Sequence, residues 1–183
     1  MPESFERLTL LYDAASIDAR VREMAEQINA RYAGEPVVVV GVLKGAFIFC
    51  ADLMRRLTMP LEVDFVRLAS YGRSSTSGGE IKFTKDIEMP LAGKHVLIVE
   101  DIIDTGLSMD FLCKQLADRQ AVSVSIAAFV DKPSRREVPV KADYVGFCIA
   151  DGFIVGYGLD YAERYRELPG IYELALNSDA AGL

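Results

Sequence analysis

The chain has 183 residues, a formal charge of −7 and 51% hydrophobic residues. That length holds one α/β domain with a proper core, and the apolar content excludes a disordered chain. The acidic balance argues against nucleic acid as the main partner, because such binders need clustered lysine and arginine to meet phosphates.

In chain order, Leu8–Tyr12 reads as a short edge strand. Ser16 is placed to cap a helix whose apolar positions, Ile17, Val21, Met24, Ile28 and Tyr32, form a one-face stripe that Gly34 ends. Pro36 leads into Val37–Leu43, an apolar run suited to a strand buried on both faces. Lys44-Gly45-Ala46 follows, then a helix through Phe47, Cys50, Ala51, Met54 and Leu57 whose apolar residues suit a core or an interface equally. A lysine-glycine turn at a strand's C-terminal end, with a helix behind it, is a candidate anion cradle; the alternative is a connecting loop whose glycine eases the turn. Leu61–Leu68 alternates as a strand. Ala69–Gly79 is small, polar and glycine-rich, and is expected to be a mobile loop. Ile81–Ile87, followed by Pro90 and Gly93, reads as a hairpin arm. After the central stretch described next, Ala121–Val130, Tyr144–Ile149 and Ile171–Leu176 read as strands, and 177–183 has little to bury and is expected to fray.

The stretch Lys94–Phe111 organises the rest. Val96–Val99 is a buried-strand run, followed at once by Glu100 and Asp101, then Ile102, Ile103, Asp104 and the small polar set Thr105, Gly106 and Ser108. Met109, Leu112, Cys113 and Leu116 then recur at helical spacing, with Ser108 as the expected N-cap. Free amides at a helix start favour an anion, typically phosphate. Three carboxylates beside a bare phosphate would repel it. A sugar phosphate removes the conflict, because its diol donates to carboxylates and a bound cation turns repulsion into attraction.

Cys50, Cys113 and Cys148 form no CxxC pair or metal spacing, and each lies among apolar residues, so core thiols in a reducing cytoplasm are expected. The sole histidine, His95, reads as structural. Met1–Arg7 lacks the basic-then-apolar pattern of a secretion signal, and no apolar run approaches the roughly 18 residues that span a membrane. A cytoplasmic location with no membrane partner is the expectation.

The segment Val96–Ser108 closely resembles the phosphoribosyl-pyrophosphate (PRPP) signature of the type I phosphoribosyltransferases. The form with two carboxylates, two isoleucines and Asp-Thr-Gly is similar to the hypoxanthine/guanine branch. No G-x-x-x-x-G-K-[ST] loop or G-x-G-x-x-G fingerprint occurs in the chain. The resemblance runs from about Leu8 to Leu174. It implies an α/β fold in one domain, 1–183: a mostly parallel central sheet flanked by helices, a small hood from the N- and C-terminal segments, and a flexible lid at about 69–80.

The resemblance also implies roles. Glu100 and Asp101 match the acids that hold the ribose hydroxyls and magnesium. Asp104 matches the base that takes the purine proton, and with Thr105, Gly106, Leu107 and Ser108 it surrounds the 5′-phosphate. Leu43-Lys44-Gly45 matches the pyrophosphate loop, where the family has a cis peptide before the lysine, an isomer that residues alone do not reveal. Arg166 matches a pyrophosphate-contacting arginine, and Ser70-Tyr71 matches the lid that closes on that side. From the residues alone Lys132 is either a donor to a carbonyl or a solvated charge; the resemblance makes it the reader of the purine 6-oxo group. In Asp151–Tyr161, Phe153 matches the stacking aromatic, Ile154 the residue whose backbone meets the base edge, and Asp160 an acid at the purine site that also holds magnesium. Gly152 stands where a larger residue is common, and Leu107 and Ser108 where some members carry lysine and threonine.

The implied function is magnesium-dependent transfer of phosphoribose from PRPP to hypoxanthine, and guanine, in purine salvage, by a homodimer or homotetramer. A non-catalytic PRPP sensor of the same fold would need a basic face or an added DNA-binding domain, and a nucleotide hydrolase or oxidoreductase would need a fingerprint this chain lacks.

Overall fold

The structure, a computed structural model, describes residues 7–71 and 80–175; the side chains of Ser70 and Tyr71 and the expected fraying at 177–183 lie outside what it describes. Its elements are β1 (Arg7–Tyr12), α1 (Ala14–Tyr32), β2 (Val37–Val42), α2 (Phe47–Met54), β3 (Leu61–Tyr71), β4 (Glu80–Lys85), β5 (His95–Ile103), α3 (Leu107–Ala117), β6 (Ser123–Asp131), β7 (Tyr144–Cys148), β8 (Ile154–Val155) and β9 (Ile171–Ala175).

Six strands make one sheet in the order β4-β3-β2-β5-β6-β7. All neighbours are parallel except β3 and β4, which form a hairpin arm. The central strands are apolar at every buried position because both faces are covered. Val37, Val39, Leu97 and Val99 point to the face packed by Ile17, Met24 and Ile28 of α1 and Phe49 and Leu53 of α2. Val38, Val40, Val96 and Ile98 point to the other face, against Met109, Leu112 and Leu116 of α3. The two-residue side-chain period thus sorts one strand between two cores. A second sheet, β1-β9-β8, is antiparallel and pairs the first described strand with the last. This is the α/β architecture that the residues and the resemblance led us to expect.

Several expected boundaries move, each for a local reason. α1 is capped by Asp13, not Ser16: the Asp13 carboxylate accepts the Ser16 N–H at 2.8 Å, so the helix begins at Ala14. Its left-handed terminal residue is Ala33, one position before Gly34. α2 stops at Met54 rather than reaching Leu57, because Arg56 and Leu57 close three-residue turns onto Leu53 and Met54. β3 runs to Tyr71, so residues 69–71 of the expected loop pair with Glu80–Lys82; 72–79 lie outside the described residues. β5 extends past Val99 to Ile103 and carries Glu100 and Asp101 within the strand. α3 is entered through Gly106 at φ 85°, with Ser108 already inside the helix. Cys50 is buried, whereas Cys148 is exposed, against the expectation of a core thiol: it ends the edge strand β7. His95 is tied to Ser123 at 2.7 Å on the opposite edge of the sheet from the acids.

Candidate active site

In an open α/β sheet, loops that leave two adjacent strands in opposite directions part and leave a crevice at the strands' C-terminal edge. Here that place lies between β2, which leads to β3, and β5, which leads to β6 on the other side. The loop after β2 is Leu43–Ala46 and the loop after β5 is Asp104–Gly106. Both are segments expected to hold anions. The Leu43–Lys44 peptide is cis.

The β5 acids lie in the crevice wall. The Glu100 carboxyl is enclosed, with Oε2 buried and without a hydrogen-bond partner. Burial and the neighbouring Asp101 charge push it well above the usual carboxylate range. Burial also pushes Asp101 up, to about 6, although its Oδ1 accepts the Ile102 N–H at 2.9 Å. Asp101 is set by contact with the neighbouring loop. A Cβ added to Gly45 would stand 1.5 Å from Asp101 Oδ2, and one added to Gly158 would stand 2.1 Å from the Gly45 carbonyl oxygen. Two loops meet the end of β5 here because both approach with a glycine.

The half-buried Asp101 carboxyl has a consequence for stability. Its folded carboxyl holds a proton to about pH 6, against 3.8 ordinarily. The folded form therefore binds more protons than the unfolded chain between these values, and stability falls as pH rises from about 4 to 6. Asp101→Asn removes this penalty. In metal-free, ligand-free buffer at pH 8 the variant is expected to be more stable by roughly 1–3 kcal/mol. The lead should shrink through pH 6 and vanish below 4. Melting curves across that range check it, and a gap independent of pH would contradict the cause given.

Past the acids, Glu100, Asp104, Thr105, Gly106 and Ser108 line a small cavity of about 100 Å³. Its floor is the start of α3, where the Leu107 N–H lies 3.4 Å from Thr105 Oγ1 and no side chain caps the helix. The turn after β6 braces it: the Glu137 N–H donates to the Thr105 carbonyl at 2.9 Å, and the Arg136 side chain, paired to Asp131, lies against Gly106. A larger cavity of about 510 Å³ adjoins it and shares Asp104; Asp101, Lys132, Phe153, Ile154 and Asp160 also line it. Lys132 is buried, 5% exposed, and its ammonium donates to the Gly152 carbonyl at 2.6 Å, which removes the solvated-charge alternative. Gly152 turns that carbonyl inward at φ 98°, and a side chain there would meet Glu173. Phe153 is 45% exposed, an unusual state for a phenylalanine, with Tyr161 edge-on at 5.3 Å. Ile154 is buried behind it.

The cations expected at pyrophosphate gather at the third corner. Arg166 donates to the Gly158 carbonyl at 2.7 Å and pairs with Asp160 at 2.7 Å. Lys44 does not face an open space: its ammonium meets both oxygens of Glu163 at 2.9 Å. Among the described residues, no three His, Cys, Asp or Glu side chains gather as a metal centre. Glu100 and Asp101 form a pair, and Asp160 is engaged by Arg166. Ser70 and Tyr71 lie at the end of the β3–β4 arm, and their side chains are outside the description.

Sequence reasoning missed three charged residues. Arg135 Nε lies 2.7 Å from Asp104 Oδ1. Arg136 braces the turn at Gly106, and Glu163 occupies Lys44 and Arg166. No periodic pattern marks them: Arg135 meets Asp104, Arg136 meets Gly106 and Glu163 meets Lys44 across long stretches of chain, although Arg136 also pairs with nearby Asp131 and Glu163 with nearby Arg166. No helix among the described residues is long and apolar enough to cross a membrane.

Comparison with known proteins fits this geometry. Residues 9–162 match the phosphoribosyl transferase domain family. The chain is 44% identical over 162 residues to the hypoxanthine-guanine phosphoribosyltransferase of Bacillus subtilis, covering 88% of this chain and 90% of that one. It is 46% identical over 164 residues to the hypoxanthine phosphoribosyltransferase of Salmonella typhimurium, covering 88% and 92%. A bifunctional TilS/HprT protein of Listeria innocua is 45% identical over 88% of this chain, which spans only 25% of that longer protein. The crystal structure of a Bacillus anthracis hypoxanthine-guanine phosphoribosyltransferase superposes with a TM-score of 0.88 at 42% identity, covering 91% of this chain and 98% of that one. With an acid-lined crevice at the strand switch point, an uncapped helix start beside it and relatives of this kind along nearly its whole length, the chain belongs to the phosphoribosyltransferase family, in its hypoxanthine and hypoxanthine-guanine branch.

Proposed function

We propose that this chain transfers the 5-phosphoribosyl group from PRPP to hypoxanthine, and to guanine, giving IMP or GMP and pyrophosphate in purine salvage. One observation carries the reading. A small polar cavity over a bare helix start opens, across Asp104, into a larger one with a buried ammonium and an exposed aromatic ring. A phosphate suits the first, a flat oxo-base suits the second, and a ribose spans the acids between them.

Each group then has a task. Amides and hydroxyls of Thr105, Gly106, Leu107 and Ser108 hold the 5′-phosphate. Glu100 and Asp101 accept the ribose hydroxyls. Purine N9 attacks C1′ as the bond to pyrophosphate breaks, through a centre with oxocarbenium character by analogy with glycoside chemistry. Asp104 takes the N7 proton. Lys44 and Arg166 meet the leaving pyrophosphate, and Lys44 belongs to the loop Leu43–Gly45 that backs it. Phe153 covers one face of the base, Lys132 donates to its 6-oxo group, and Ile154 presents its backbone to the edge. Ser70 and Tyr71, on the β3–β4 arm, belong to a lid that excludes water. The β1-β9-β8 sheet, next to Phe153, serves as the hood.

Magnesium fits these donors. Carboxylate oxygens are hard ligands, one or two commonly suffice beside substrate phosphates, and the unpartnered Glu100 Oε2 asks for a cation or a donor. Glu100 and Asp101 would hold one ion and Asp160 another. When bound, magnesium supplies neutralisation of pyrophosphate charge. A cytoplasmic homodimer or homotetramer completes the reading, and Phe47, 45% exposed on α2, is the apolar residue that such an interface would cover.

The direct test supplies PRPP, magnesium and, separately, hypoxanthine, guanine, xanthine, adenine and uracil, and follows pyrophosphate release. Turnover with hypoxanthine is expected, and none with any base would reject the proposal. Lys132→Ala is expected to raise KM for the 6-oxopurines roughly 10- to 100-fold, the worth of a charged hydrogen bond. Because adenine carries a donor at that position, its poor use should change less. Equal loss across all bases would remove Lys132 from base reading.

A further inference from the structure

The two cations assigned to pyrophosphate already hold an anion of the chain itself. Lys44 Nζ lies 2.9 Å from both Glu163 oxygens, and Arg166 Nη2 lies 3.3 Å from Oε2. Glu163 and Lys44 are 119 positions apart, so tertiary structure alone makes the pair. Glu163 is held deliberately. Its N–H donates to Asp160 Oδ2 at 2.8 Å, while Asp160 Oδ1 meets Arg166 at 2.7 Å. Ala162 and Glu163 adopt left-handed backbone, with φ of 51° and 64°, which non-glycine residues rarely visit and which contacts must therefore impose. The Glu163 side chain is 64% exposed and that of Lys44 47%. Ion pairs this exposed contribute little net stability and open readily.

We propose that Glu163 is the built-in counter-anion of the pyrophosphate subsite: it holds Lys44 and Arg166 in register in the free enzyme, and the incoming pyrophosphate group displaces it from both. The proposal rests on the assignment of Lys44 and Arg166 made above. In the exchange Lys44 and Arg166 each trade the Glu163 carboxylate for phosphate oxygens. As Arg166 turns to the ligand, Asp160 loses its Oδ1 partner and becomes free to accept another. Glu163 is thus a positioning residue that competes with the ligand it prepares for.

Competition gives an unusual signature: removing the charge should tighten binding, whereas damage to the loop can only weaken it. The test is calorimetric titration of inorganic pyrophosphate, with excess magnesium, into the wild-type protein, Glu163→Gln, Glu163→Asp and Glu35→Gln. Glu35 is exposed at the far end of α1 and repeats the charge change without the contact. Glu163→Gln is expected to bind pyrophosphate about 3- to 10-fold more tightly, since it deletes a like charge beside the ligand. Glu163→Asp, too short to span both cations, should fall between it and the wild type, which keeps the test alive if the glutamine variant folds poorly. Glu35→Gln should match the wild type. Equal or weaker binding by both Glu163 variants would overturn the proposal. If instead Lys44→Ala left wild-type affinity unchanged, the assignment of the subsite itself would fall, a separate outcome.

Discussion

Asp104→Asn is expected to lose a factor of roughly 10²–10⁴ in kcat, the usual contribution of a positioned general base. Asp104 lines both cavities, so in the proposed reading its carboxylate can reach the purine while bordering the sugar phosphate. Its Oδ1 is buried without a hydrogen-bond partner, 2.7 Å from Arg135 Nε in an ion pair. Asparagine has the same shape and still offers an oxygen to Arg135, but cannot accept a proton. The amides of Thr105–Ser108 remain, so PRPP affinity should stay within severalfold. Single-turnover rates at saturating PRPP, with PRPP binding by titration, separate the two effects. A fully active variant would take the base role away from Asp104, and a matching collapse of PRPP affinity would make it a phosphate residue.

Gly45→Ala should be as damaging in activity, by a different route. The new methyl would stand 1.5 Å from Asp101 Oδ2, so either the carboxylate or the loop must move. Gly45 also carries the carbonyl against which Gly158 packs, so the loop has no room to retreat on that side. The expected result is a shifted Asp101 and a shifted Lys44, and misplacement by about 1 Å typically costs on the order of 10²-fold in rate. Overpacking of this kind destabilises by about 1–3 kcal/mol. The variant should therefore fold, melt a few degrees lower, and show a raised KM for PRPP with reduced kcat. Near-normal kinetics would mean that the close approach of these loops is not needed for catalysis.

The helix starts show where local signals stop. Ser16 and Ser108 are both acceptable caps by residue type, yet Asp13 and Gly106 take those positions. At α1 a better-placed carboxylate three residues earlier reaches the Ser16 N–H. At α3 the left-handed Gly106 starts the helix without a side-chain cap of its own, and beyond the long Leu107 contact to Thr105 the next amides are left for a ligand. Cys148 misleads because an apolar neighbourhood in sequence does not say whether a strand lies at the centre or the edge of a sheet. Lys132 is the converse case: a lysine after a strand is ordinarily solvated, and only the fold encloses it beneath Gly152.

By itself the sequence determined the strand and helix order apart from β8, the valine-rich central runs and the succession of strand, acids, small residues and helix start around 100–108. These depend on neighbours within a few residues, on side-chain period and on backbone freedom. Only tertiary structure decided which charges meet. Glu163 finds Lys44, Arg135 finds Asp104, and Gly45 yields its space to Asp101, because strands distant in the chain end at one edge of one sheet. Such pairings are fixed by where loops converge, and no spacing along the chain encodes that convergence.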